Sequence, residues 1–93
     1  MTYEDEIGPL REKINRLNVE IMKSIAERVM IAMEIGAVKH RHHKPIEDRK
    51  REKMVHQQVR ALAEEAGLDS DSIKRVFMEI VALCTQVERE QEK

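Results

Sequence analysis

Aromatic residues are nearly missing from this chain: Tyr3 and Phe77 are the whole complement, and there is no tryptophan. Glycine is confined to Gly8, Gly36 and Gly67, and proline to Pro9 and Pro45. So few turn formers argue against a sheet of short strands and leave long helices as the natural fold. The one cysteine, Cys84, cannot close an internal disulfide, which fits a reducing compartment. No apolar run approaches the roughly 18 residues needed to span a membrane. The acidic stretch Met1 to Leu10 lacks the basic and apolar regions of a signal peptide. The expectation is a soluble, cytoplasmic protein with no membrane partner. A formal net charge of -1 argues against a general polyanion binder.

What is present is charge and aliphatic surface, 38% and 41% of 93 residues, enough for one small domain over 1–93. From about Glu4 to about Arg41 apolar residues recur in alternating steps of three and four: Ile7, Leu10, Ile14, Leu17, Ile21, then Ile31, Ile35 and Val38. That is a coiled-coil seam. A second seam runs beside it through Met22, Ile25, Val29, Ala32 and Gly36. Pro9 is read as a first-turn proline, which a helix tolerates. A helix of that length spans roughly 57 Å. A compact chain of this size has a radius of gyration of only about 12 Å. Two shorter helices cannot cover both seams, so the expected architecture is an all-α intertwined homodimer with three helices per chain.

His42 to Pro45 form a linker. The spacing then predicts a second helix from about Asp48 to about Ala66, capped by Asp48 and stopped by Gly67, burying Val55, Val59, Leu62 and Ala66. A third helix, from about Ser70 to about Glu90, packs Ile73, Phe77, Ile80, Cys84 and Val87. The tail from Glu88 to Lys93 is polar and is expected to fray.

Charged residues interrupt these stripes. Arg28 sits in the first seam, where a lone buried charge costs several kcal/mol. Arg11 and Lys39 stand at opposite ends of the second seam, and Arg51 and Glu88 interrupt helices two and three. Any one of them could snorkel to solvent or pair with a carboxylate. Arg11 and Lys39 are about 42 Å apart along one helix. In an antiparallel pair with its twofold axis near residues 20–25, Arg11 of one chain approaches Arg28 and Lys39 of the other. Such a site suits a small molecule with two carboxylates, which guanidinium groups grip bidentately.

Other chemistries find less support. Cys84 lies on an apolar stripe with no evident base, so it reads as a structural thiol. His40, His42 and His43 lack metal-ligand spacing, and no metal is expected. The basic run Lys39 to Lys44 has neither neighbouring aromatics nor a net positive field, so no nucleic acid is expected. What remains is catalysis by geometry and electrostatics.

Leu10-Arg11-Glu12-Lys13-Ile14, Ala26-Glu27-Arg28, Lys39, and Pro45 through Glu52 occur in this order on three helices. With them the sequence resembles the all-helical (AroQ-class) chorismate mutases, from Leu10 to about Glu88. The resemblance implies an intertwined homodimer with two active sites that rearranges chorismate to prephenate, without a cofactor, on the route to phenylalanine and tyrosine. It implies that Arg28 and the partner's Arg11 hold the substrate carboxylates. It assigns Lys39 to a carboxylate and the ether oxygen, Arg51 to the carboxylate wall, and Glu52 with the backbone of Asp48 to the substrate hydroxyl.

Two positions depart from the common pattern. Many members carry serine where Cys84 stands, and a thiol is the weaker donor. Many carry glutamine where Glu88 stands. A glutamate donates only when protonated, so Glu88 is expected to act as a neutral acid, with turnover favoured at mildly acidic pH.

Isochorismate-pyruvate lyase is a sister activity on the same fold, but an acid at Glu52 favours the mutase. A non-catalytic dimerisation module, with seam charges that only set register, is the rival from another class. Arg28→Ala separates enzyme from module. An enzyme loses most turnover while sedimenting as the same oligomer, whereas a module keeps its function and gains stability.

Overall fold

The computed structural model describes residues 1–91, and among these it contains three α-helices and no strand. Helix α1 runs Tyr3–Arg41, α2 Arg49–Glu65 and α3 Ser70–Glu90. Each begins where a short polar side chain takes up an orphan backbone N–H. Thr2 and Asp5 form a reciprocal capping box at α1, with bonds of 3.2 and 3.1 Å. Asp48 accepts from the backbone N–H of Arg51 at 3.0 Å to start α2. Asp69 does the same for α3 through Ser72.

The ends are equally local. Lys39, His40 and Arg41 put positive charge in the last turn of α1, where the helix dipole favours it. Gly67, at φ +72°, takes the left-handed step that stops α2.

Two sequence expectations need correction. Because α1 already starts at Tyr3, Pro9 lies in its second turn rather than its first. The carbonyl of Asp5 loses a helical donor there, a loss that water makes good at this exposed end. In α2 the buried stripe is Val55, Val59 and Ala63, while Leu62 and Ala66 face outward. The helix turns a strict i, i+4 row toward α3. The expected fraying from Glu88 is also absent as far as the description reaches. Glu88 is buried and α3 continues to Glu90, while Glu92 and Lys93 lie outside the described residues.

Helix α3 packs against both other helices, and α1 and α2 do not meet. The buried positions are few and mostly small: Ala32 and Gly36 on α1, Ile46 in the linker, the α2 row, and Cys84 and Glu88 on α3. The chain is accordingly elongated, 63 × 27 × 15 Å, with a radius of gyration of 17.4 Å against the roughly 12 Å of a compact chain. No described residue covers the face of α1 from Pro9 to Ser24. Every residue from Pro9 to Ser24 is exposed, including Leu10, Ile14, Leu17 and Ile21, each more than half accessible.

Asp69 and Asp5 both titrate below the ordinary aspartate value of 3.8. Hydrogen bonds from the Ser72 hydroxyl and backbone lower the first, and those from the Thr2 backbone and hydroxyl the second. A depressed folded pKa stabilises the fold above the unfolded value, and that contribution is lost as pH falls through the folded one. Helicity measured by circular dichroism should decline as pH falls below the ordinary aspartate value of 3.8. Asp69→Asn, whose amide caps without titrating, should lose less over the same range.

Candidate active site

The last third of α1, the linker, the first turns of α2 and the C-terminal half of α3 enclose a cavity of about 460 Å³. Helix α1 contributes Arg28 and Lys39, spaced by three turns so that both face α3. The linker brings Ile46, and the start of α2 brings Asp48, Arg51 and Glu52 within a single turn. Helix α3 supplies Cys84, Thr85 and Glu88. Apolar side chains, among them Ile31, Ile35, Val55 and Val81, fill the wall between the charges.

Lys39 is the most constrained of these groups. Its ammonium donates to Glu88 Oε1 at 2.7 Å and to the Ile46 carbonyl at 2.8 Å, with the two side chains only 20% and 12% exposed. The Arg28 guanidinium donates to Cys84 Sγ at 3.1 Å. No buried side-chain nitrogen or oxygen lacks a partner among the described residues. Two of the cavity's cations, Lys39 and Arg28, are thus held by groups of the same chain.

This arrangement depends on a close helix crossing. A Cβ on Gly36 would lie 2.7 Å from the Glu88 carbonyl oxygen and 2.8 Å from its Cα. Helices α1 and α3 thus touch backbone to backbone one turn before Lys39, which brings its ammonium within reach of Glu88.

Of the eight residues singled out in the sequence, seven line this one cavity: Arg28, Lys39, Asp48, Arg51, Glu52, Cys84 and Glu88. Arg11 does not. It lies on the exposed N-terminal half of α1, 3.5 Å from the Tyr3 hydroxyl. The sequence reading also expects a strongly cationic pocket. The chain's own residues instead place three cations, Arg28, Lys39 and Arg51, opposite three acids, Asp48, Glu52 and Glu88.

Two participants escaped notice in the sequence. The Ile46 carbonyl is a backbone group, signalled only by an isolated apolar residue in a polar linker. Thr85 left no signal beyond standing next to Cys84. Glu52, Val81 and Thr85 also line a second hollow, of about 480 Å³, on the far side of the α2–α3 contact.

Fold and site together define an all-helical protein whose cavity sets three cations among three acids. No group of three or more His, Cys, Asp or Glu side chains is placed to hold a metal among the described residues. The sequence model of chorismate mutase type II matches residues 10–89, and the chain belongs to that family.

The bifunctional chorismate mutase/prephenate dehydratase of Escherichia coli (strain K12) is 35% identical over 81 residues, covering 87% of this chain and 21% of that protein. The T-protein of Haemophilus influenzae is 34% identical over 77 residues, covering 83% of this chain and 20% of its own length. The chain thus spans about a fifth of these curated relatives. The chorismate mutase of Methanocaldococcus jannaschii is nearer in size: 29% identity over 77 residues covers 83% of this chain and 78% of that one.

Gly36→Ala tests the crossing. Alanine is the better helix former by about 1 kcal/mol. Even so, the variant should be less stable by about 1–3 kcal/mol in chemical denaturation, because two backbones must separate.

Proposed function

We propose that this chain is a chorismate mutase, active in the cytoplasm as a homodimer and needing no cofactor. The observation that carries the reading is the fixed Lys39 ammonium, held between Glu88 and the Ile46 carbonyl in a cavity that also presents Arg28 and Arg51. Family membership supports it as well.

The reaction is an isomerisation. The ether C–O bond of chorismate breaks as a new C–C bond forms, and negative charge gathers on the ether oxygen in the transition state. A cation already positioned there stabilises the transition state more than the ground state. Arg28, Arg51 and the partner's Arg11 clamp the two carboxylates and select the compact conformer, which removes most of the entropic barrier. Glu52 accepts from the substrate hydroxyl, and the backbone N–H of Asp48 donates to that hydroxyl's oxygen. Glu88 stands beside the Lys39 ammonium at the place proposed for the ether oxygen.

A second copy supports this chemistry in two ways. Its α1 can cover Leu10, Ile14, Leu17 and Ile21, which the single chain leaves open. Its Arg11 also breaks the balance of three cations and three acids in favour of an anionic ligand. An antiparallel pairing of the two α1 helices brings that arginine to the site, about 42 Å from Lys39 of its own chain.

Purified protein in metal-free buffer should consume chorismate and release prephenate; pyruvate from isochorismate instead would assign the lyase activity. Subunit mixing tests the shared site. Arg11→Ala and Lys39→Ala should each be nearly inactive. Dimers re-formed from an equal mixture should recover about a quarter of parental turnover, since half are mixed and each mixed dimer holds one intact site. No recovery on mixing would show that Arg11 is not supplied across the dimer.

A further inference from the structure

Thr85 carries the one hydroxyl among the side chains that line the active cavity. A threonine inside a helix commonly turns its hydroxyl back to the carbonyl four residues earlier. Here it makes no hydrogen bond to any described residue, the Val81 carbonyl included, although the neighbouring bond of that kind from Gln91 to Val87 is present. No buried side-chain oxygen among the described residues is left without a partner, so this unbonded hydroxyl is accessible, on a residue that lines both the active cavity and the hollow behind it.

The other α3 groups in the wall are less available. Glu88 Oε1 is taken by Lys39, and Cys84 Sγ already accepts from Arg28 and is a weak donor. We propose that Thr85 is a further substrate-binding residue, whose hydroxyl donates to the substrate carboxylate gripped by Arg28. Thr85 stands about 100° around α3 from Cys84, the residue that Arg28 touches, and lines the same cavity as that guanidinium, so the proposal seats the carboxylate between the two. The hydroxyl supplies the strong neutral donor that Cys84 does not, from the next position along the helix. Its bond is present before and during the rearrangement, so it governs KM rather than kcat. The assignment rests on the mutase reading.

Kinetics of Thr85→Val and Thr85→Ser with chorismate test it. Valine keeps the shape and deletes the hydroxyl, and should raise KM roughly tenfold, with kcat within about twofold of the parent. Serine keeps the hydroxyl and deletes the methyl, and should restore KM to near the parental value. Thr85→Ala provides the same deletion should valine prevent folding, and must show the same rise. A KM unchanged in the hydroxyl-free variants overturns the proposal while leaving the mutase reading intact. So does a serine variant as impaired as valine, since the loss would then be one of packing. A parental chain that does not convert chorismate overturns the mutase reading and this assignment with it.

Discussion

The position of one ammonium group governs the architecture around it. Lys39 is tied at once to a side chain on α3 and to a backbone carbonyl in the linker, and those two bonds hold together segments far apart in sequence. A buried ion pair is a poor source of net stability, because taking two charges out of water costs several kcal/mol per ion before attraction returns it. The pair is better understood as a locator. It fixes where one cation stands in a cavity whose charged groups are separated by aliphatic side chains, and the Gly36 crossing keeps α1 and α3 close enough to make it.

The same crossing explains why the chain is unfinished by itself. Close approach requires small residues, and Ala32 and Gly36 bury little apolar surface in return. The large aliphatic side chains of α1 are left outside, above all along its N-terminal half. Exposed apolar surface on that scale marks an association face. The exposed apolar face and the distance of Arg11 from the cavity have one origin: the half of α1 that carries Arg11 extends away from that cavity. A second chain, as proposed, remedies both through the same helix.

The α3 wall is where this member's chemistry is particular. Cys84 sits against the Arg28 guanidinium, Glu88 neutralises Lys39 while no ligand is bound, and Thr85 stands between them in sequence with its hydroxyl free. The wall thus presents a thiol, a hydroxyl and a carboxyl on successive turns and neighbours of one helix. The proposed roles of Glu88 and Thr85 divide the work, one serving the breaking bond and the other the carboxylate.

Much of the fold was legible because it is local. The caps at Asp48 and Asp69, the stop at Gly67 and the three-and-four spacing of α1 all act within a few residues, so reading them in order yields three helices. The charged residues that interrupt the apolar stripes marked the cavity for the same reason: a helix repeats its faces regularly, and a cation on an inward face must meet something. Packing was less legible. Periodicity alone cannot choose between the rows Val55-Val59-Leu62 and Val55-Val59-Ala63, because both lie within the same arc. The choice falls to the angle at which α3 crosses. The partner of Lys39 was hidden too, since neither a backbone carbonyl in a linker nor a carboxylate 49 residues away leaves a mark on the lysine's own segment. Sequence by itself determined the helices, their polar interruptions and the apolar seam that α1 carries along its length. Tertiary structure decided which charges neutralise each other, because pairing depends on distances across helices that no local pattern encodes.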